Sequence, residues 1–400
     1  MNKIYLSLAA ASLIAATTAT ADIDVKTGGQ AVLYYQTADN GDNDLFNHTG
    51  SRANAALQIN LNADLGNDYG LGIQGTGLST LGLEDNLVDN VMQAGGGDLA
   101  ADSGDYFAIT KAYITKKITC NTLAKLGRQE LPKALSPFAF SEGWNVIKNT
   151  FDAMVVINTD IPDTTVVGAY VNRTNGNGLA NDMSTFTKIG ADEGAYMLTL
   201  QNKSLAGFTP TFSYYNVSHV ATAMWLDLQT DLGKMAGLPV NIALQGGQMD
   251  PDGAGDSTTG LGIKISGKVA GIALTGAYTT VDDGALPIHN LGTGVKTPLY
   301  TQMILNQGAI KSDSDTFMLK GVAPVGPGKV IAQFAMSSAG DTTGVGLDDD
   351  YQELDLIYKA KIAGTTFLAA YVYRGSDNDN AFGQGNDTMN VLRFWARYNF

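Results

Sequence analysis

Between Leu126 and Val171 charged side chains of both signs recur among apolar ones: Arg128, Glu130, Lys133, Glu142, Lys148 and Asp152. Acids and bases at such spacing can trade protons with a substrate, or they can face each other across water and sort solutes by charge. The first use needs a nucleophile, a base and an orienting group brought together. The sequence offers poor material for that. Its three histidines, His48, His219 and His289, are far apart, and Ser218-His219 has no evident orienting partner. No metal-ligand spacing is present either, so neither a catalytic nor a metal site is expected. The acidic stretches "DNGDND" (39–44), "DPDGAGD" (250–256) and "DDD" (348–350) could bind calcium weakly, but none completes an EF-hand loop, and no other cofactor is implied. "GIQGTGLSTLG" (72–82) is rich in glycine, yet no helical pattern follows it, so it does not read as a phosphate loop. Charge sorting remains, and it requires a frame that holds water.

The frame is written in a period of two. In "RANAALQINLNADL" the apolar residues Ala55, Leu57, Ile59, Leu61 and Leu65 alternate with Arg52, Asn54, Gln58, Asn60, Asn62 and Asp64. Leu354, Leu356, Tyr358 and Ile362 likewise oppose Glu353, Asp355, Lys359 and Lys361, and Ile263, Ile265 and Val269 oppose Lys264, Ser266 and Lys268. Strand-like segments fall at 28–37, 52–65, 69–79, 104–118, 122–130, 150–159, 164–173, 193–203 and 207–217. They continue at 221–232, 239–248, 257–269, 272–281, 314–325, 328–338, 348–363, 365–375 and 387–400. That makes about 18 strands, with short and long connections in alternation, the asymmetry of a transmembrane β-barrel with short periplasmic turns and long external loops. Only "SHV" (218–220) is short where a long loop is due, and "GKMAGLP" (233–239) is somewhat long for a turn.

Composition and termini agree with an all-β, antiparallel barrel. Charged residues make up only 16% of the 400, below the roughly 25% usual in soluble domains. Residues 1–21 read as a signal peptide: Lys3, an apolar run to Ala16, then Ala19-Thr20-Ala21 as a cleavage site, which leaves 22–400 as the barrel. A single cysteine, Cys120, excludes an intrachain disulfide, and a net charge of −14 argues against nucleic acid. The chain stops on an aromatic residue, with Phe394, Tyr398 and Phe400 on one face of the last strand. Rings there suit a membrane interface, and by analogy with outer-membrane proteins they would form the signal read by the barrel-assembly machinery.

"LGRQELPKALSPFAFSEGWNVIKNTFDAMVVINTDIPDTTVVGAYV" (126–171) resembles the corresponding stretch of the Campylobacter-type major outer membrane porins, themselves distantly similar to OprD-type porins. The likeness lies in "GRQ" (127–129), a Pro-containing loop, the Ser-acidic-Trp turn at 141–144, "NTF" (149–151) and "DIPDTTVVGAYV" (160–171), about an eighth of the chain. It implies a homotrimeric, non-enzymatic, water-filled channel in the outer membrane of a Gram-negative bacterium, embedded in lipid and lipopolysaccharide. It also implies a third external loop, 131–149, that folds inward and narrows the pore. OprD-type relatives carry an arginine before the "NTF" element, where this chain has Val146, Ile147 and Lys148. That difference argues against a dedicated, substrate-selective OprD-like specificity. The loop charges Glu130, Lys133, Glu142 and Lys148, flanked by Arg128 and Asp152, would then face wall residues Arg52, Lys264, Lys320, Arg374, Arg393 and Arg397. A surface adhesin is the alternative that long external loops leave open.

Overall fold

The computed structural model describes residues 24–82, 87–88, 106–176, 183–340, 349–378, 381–382 and 387–400. The expected signal peptide (1–21) and the acidic residues Asp98, Asp102, Asp348 and Asp379 lie outside the described residues. One antiparallel sheet closes on itself. Its strands are β1 (Asp24–Asp39), β2 (Ser51–Gly66), β3 (Tyr69–Ser79), β4 (Tyr106–Thr119), β5 (Thr122–Gln129), β6 (Phe151–Asn158) and β7 (Thr164–Thr174). Then come β8 (Thr187–Lys188), β9 (Ala195–Asn202), β10 (Phe208–Val217), β11 (Ala221–Thr230), β12 (Val240–Pro251) and β13 (Thr258–Val269). The chain ends with β14 (Ile272–Val281), β15 (Ser314–Val325), β16 (Gly328–Ala339), β17 (Asp349–Ile362), β18 (Thr365–Ser376) and β19 (Thr388–Asn399). The two-residue β8 only extends the edge of β7, which pairs onward with β9, so the wall has 18 strands, as the alternation predicts. Closure is made by the two end strands, in register from Gln30 opposite Asn399 to Asp39 opposite Asn390. A closed wall leaves no unpaired edge, the condition for crossing hydrocarbon with strands.

The short connections are built for hairpins. Asn67-Asp68, Ala270-Gly271 and Ala363-Gly364 each place two successive residues at positive φ, the turn whose twist matches that of the flanking strands. The segment "GKMAGLP" forms a single helical turn, Leu232–Ala236, capped by Asp231 and ended by Gly237 in the left-handed region. Its extra length is thereby accounted for. Around the wall the outward positions are the apolar ones: Leu57, Ile59 and Leu65 on β2, Ile263, Ile265 and Val269 on β13, and Leu356, Tyr358 and Ile362 on β17 are all exposed. Their alternates point inward, and Glu353 and Asp355 are fully buried there. Phe394, Tyr398 and Phe400 are exposed on the outer face, with the last two rings stacked.

Candidate functional site: two loops within the bore

Two long connections turn into the barrel, and packing explains why. In the 131–149 segment Phe138 is 1% exposed and sits edge-on to Tyr215 of β10 and Trp225 of β11, both at 5.3 Å between centroids. Farther along, Val146 and Ile147 join Val32, Tyr34, Ala56, Leu78 and Ala108 of β1–β4 in a cluster that also takes in Met183 from the connection between β7 and β8. β10 and β11 lie half-way round the wall from the β1–β19 seam, so this segment crosses the bore. The turn at 132–136 is closed by Ser136, which donates through both its amide and its hydroxyl to the Pro132 carbonyl.

The connection from β14 to β15, residues 282–313, lies beside it. Asn290 joins the two: its side-chain oxygen accepts from the Phe140 amide (3.0 Å), and its nitrogen donates to the Phe140 carbonyl (2.8 Å) and to Glu142 (2.7 Å). The Leu291 amide donates to the Phe138 carbonyl, and the Lys133 ammonium donates to the Thr297 carbonyl at 2.9 Å. Lys296 sends its ammonium to the carbonyls of Met303 and Ile304 and to Gln307. The return of this loop is fixed to β17, where Ile304 and Leu305 donate their amides to Asp355 and Glu353. Nothing in the periodic pattern marked 282–313 as inward, because its contacts are with residues remote in sequence.

The residues that the sequence singles out divide into three groups. The first lies in wet ion-pair networks. Glu130 binds Lys111 (2.5 Å) and Lys148 (2.7 Å). Asp152 binds Arg128 (2.9 Å) and Arg173 (2.7 Å), but on the outward face of the wall that exposed Leu126 and Met154 share. Arg128 and Asp152 are therefore not in the constriction, where the sequence had suggested them. Burial alone would raise the Glu130 pKa, but the two ammoniums hold it below the usual carboxylate range. Phe186 stacks on the Arg128 guanidinium at 3.4 Å. Lys111 escaped the alternation because a bulge opposite Gln74 and Gly75 places Thr110 and Lys111 successively in the strand.

The second group holds protein together. Glu142 is 3% exposed, unlike the pore-facing carboxylate that the sequence suggested. It accepts from Asn290, from the Thr293 hydroxyl, from the Lys296 amide at 3.2 Å and from the Trp144 indole at 2.5 Å. Arg374 donates to the Tyr351 hydroxyl near Glu353. Arg393 and Arg397, expected as wall charges, both donate to the 131–149 loop.

The third group borders open space. Lys264 lies over the Tyr300 ring at 4.0 Å, and the Tyr300 hydroxyl donates to Asp227 at 2.7 Å. With Lys133, Trp225 and Gln229 they line a cavity of about 460 Å³. Water reaches Lys133, yet protein surrounds it, and that burial pushes its ammonium down to about 8. Asp227 carries no sequence signal beyond the inward register of β11, and Tyr300, in the 282–313 connection, has no register at all. Arg52 stands on the inner wall opposite Gln36 of β1, and Lys320 stands opposite Gln333 of β16.

An 18-stranded antiparallel barrel with polar and charged side chains and two loops inside it is the architecture of outer-membrane channels. Solved structures with this fold include Acinetobacter baumannii OccAB3, at TM-score 0.77 and 12% identity over 94% of this chain and 99% of that one. Pseudomonas aeruginosa OpdK with vanillate superposes at TM-score 0.77 and 10% identity, covering 94% of this chain and 98% of its own. Pseudomonas aeruginosa OccK8 (OprE) gives 0.73 at 15% identity, over 94% and 98%. No protein-family model and no curated protein matches the chain. The likeness is one of fold.

Proposed function

We propose that this chain is a porin of a Gram-negative outer membrane, passing small hydrophilic solutes and ions by diffusion, without catalysis. The observation that carries the reading is the inside of the barrel. Lys111, Glu130 and Lys148 keep between 22% and 50% of their side-chain surface accessible, with Lys111 on the inward face opposite Gln74, within a wall whose outer face is largely apolar. Charges so placed need water beside them, and a wet bore through an apolar belt is a channel. The 131–149 and 282–313 loops are its constriction, and the paired charges set a transverse field across what remains open. OpdK was solved with vanillate, an aromatic carboxylate; the Lys133–Lys264 cavity could admit a similar anion, whereas the 131–149 loop favours a general pore over a dedicated one.

The chain is also read as a Campylobacter-type porin, exported by its leader, inserted by the barrel-assembly machinery and trimeric in lipid and lipopolysaccharide. Purified protein in a planar bilayer should give stepwise conductance, in multiples of three if trimers insert. Heat-modifiable protein that inserts but conducts nothing would overturn the channel and leave the adhesin.

A further inference from the structure

Arg393 and Arg397 occupy the inward face of β19, where alternation alone makes them charges bathed by the pore. Their surroundings are of another kind. Arg393 is 3% exposed. Its Nε and Nη2 donate to the side-chain oxygen of Gln36 at 3.0 and 2.7 Å, and Nη1 donates to the Trp144 carbonyl at 3.2 Å. Arg397 repeats the arrangement: Nη1 donates to the side-chain oxygen of Gln30 at 3.0 Å and Nη2 to the Asn145 carbonyl at 2.5 Å. Two guanidiniums on the last strand are thus steadied by two glutamines of the first strand, and each offers a remaining N–H to one of two consecutive carbonyls of the 131–149 loop. No carboxylate lies within ion-pair distance of either arginine among the described residues.

We propose that Arg393 and Arg397 are positioning residues that strap the 131–149 loop to the seam of the barrel. Phe138 anchors the loop at β10 and β11, and the arginines anchor it at the opposite wall, so the segment is held at both sides of the bore. Hydrogen bonds from charged donors to buried carbonyls are among the stronger polar contacts a loop can make. The Trp144 ring extends the strap, lying 5.7 Å from Arg393 and 5.1 Å from Lys296, so the seam also steadies the 282–313 loop. Donors and glutamines belong to the two chain-terminal strands, so the loop can seat only once β19 has paired with β1.

The test is a Val146→Cys probe in a Cys120→Ser background, since Val146 is fully buried under the strapped segment and Cys120 is exposed. In the assembled barrel the introduced thiol should resist a small thiol reagent. Adding Arg393→Gln and Arg397→Gln should raise its labelling rate by about tenfold or more, the factor that loss of a single charged hydrogen bond carries in a local-opening equilibrium. Arg393→Lys with Arg397→Lys, which keeps charge but not the forked geometry, should restore little protection. Labelling does not depend on conduction, so it reads the strap whether or not the porin reading holds. That reading enters only the second measurement, in which the double Gln variant should conduct more per channel with little shift in reversal potential. Continued protection of the introduced thiol in heat-modifiable double variant would overturn the proposal. So would a shifted reversal potential with unchanged labelling, since the arginines would then be charges seen by the solute. If the double variant does not assemble, Arg397→Gln alone gives the same comparison.

Discussion

Glu142 is hydrogen-bonded by one side chain of its own loop, Trp144, and by two residues of the other loop besides Asn290. Truncating it to Ala leaves several buried donors without an acceptor, at about 1–3 kcal/mol for each that water cannot reach. The expected outcome is a looser constriction: higher and noisier single-channel conductance at nearly unchanged reversal potential, with Glu142→Gln intermediate because an amide oxygen still accepts. A shifted reversal potential at constant conductance would mean that permeating ions sense the carboxylate. Lys148 is half-exposed beside Glu130, so Lys148→Ala should move the reversal potential toward cations and leave conductance almost alone. A periodic pattern shows only which way a side chain points. Glu142, Arg393 and Arg397 were legible as inward or loop charges, whereas their partners, which decide between sorting solutes and holding loops, come from strands far away in sequence.

At the scale of the element, strands were the most legible feature because each carries its own evidence in residues two apart. The loops were legible only where a local oddity marked them, as Pro132, Pro137 and Phe138–Phe140 did in 131–149. The 282–313 connection carries a similar mark in Pro287, Pro298 and the apolar runs 285–288 and 303–305, which a reading by strand alternation passes over. Deleting Ala134 to Phe140 removes the anchor on Tyr215 and Trp225 and should raise conductance and admit larger solutes while the barrel still assembles. An unchanged size limit would shift the constriction to 282–313. The last strand carries a different prediction. Phe400 exchanges backbone hydrogen bonds with Gly29 at 2.8 and 3.1 Å, and its ring lies where a Cβ on Gly29 would stand. Gly29 therefore leaves room for the terminal ring at the seam. Removing Phe400 should lower the amount of assembled, heat-modifiable barrel in the outer membrane; undiminished levels would show that the seam closes without it.

Charge is distributed unevenly over the whole molecule. Asp39, Asp42, Asp44, Asp250, Asp252, Asp256, Asp350 and Asp377 lie at the end with the long connections, whereas Lys264, Lys320, Lys125 and Lys133 lie within the bore. An acidic mouth concentrates cations over a screening length of about 8–10 Å at physiological salt, and the lysines beyond it oppose their passage. The balance should be a modest cation preference, visible as a reversal potential under a salt gradient and fading at high salt; a clear anion preference would mean that the lysines dominate. The two contributions separate by pH. Burial pushes Lys133 down to about 8 and Lys296 to about 7, but Lys296 is enclosed by its own loop whereas Lys133 borders open space. Raising the pH from 7 to 9 therefore removes a positive charge from the bore and leaves the aspartates at the mouth ionised, so cation preference should grow across that range. Lys133→Met should begin at the higher preference and lose most of the rise above pH 8. A wild-type profile that is flat from 7 to 9 would mean that Lys133 keeps its proton, or that the solute path does not pass it.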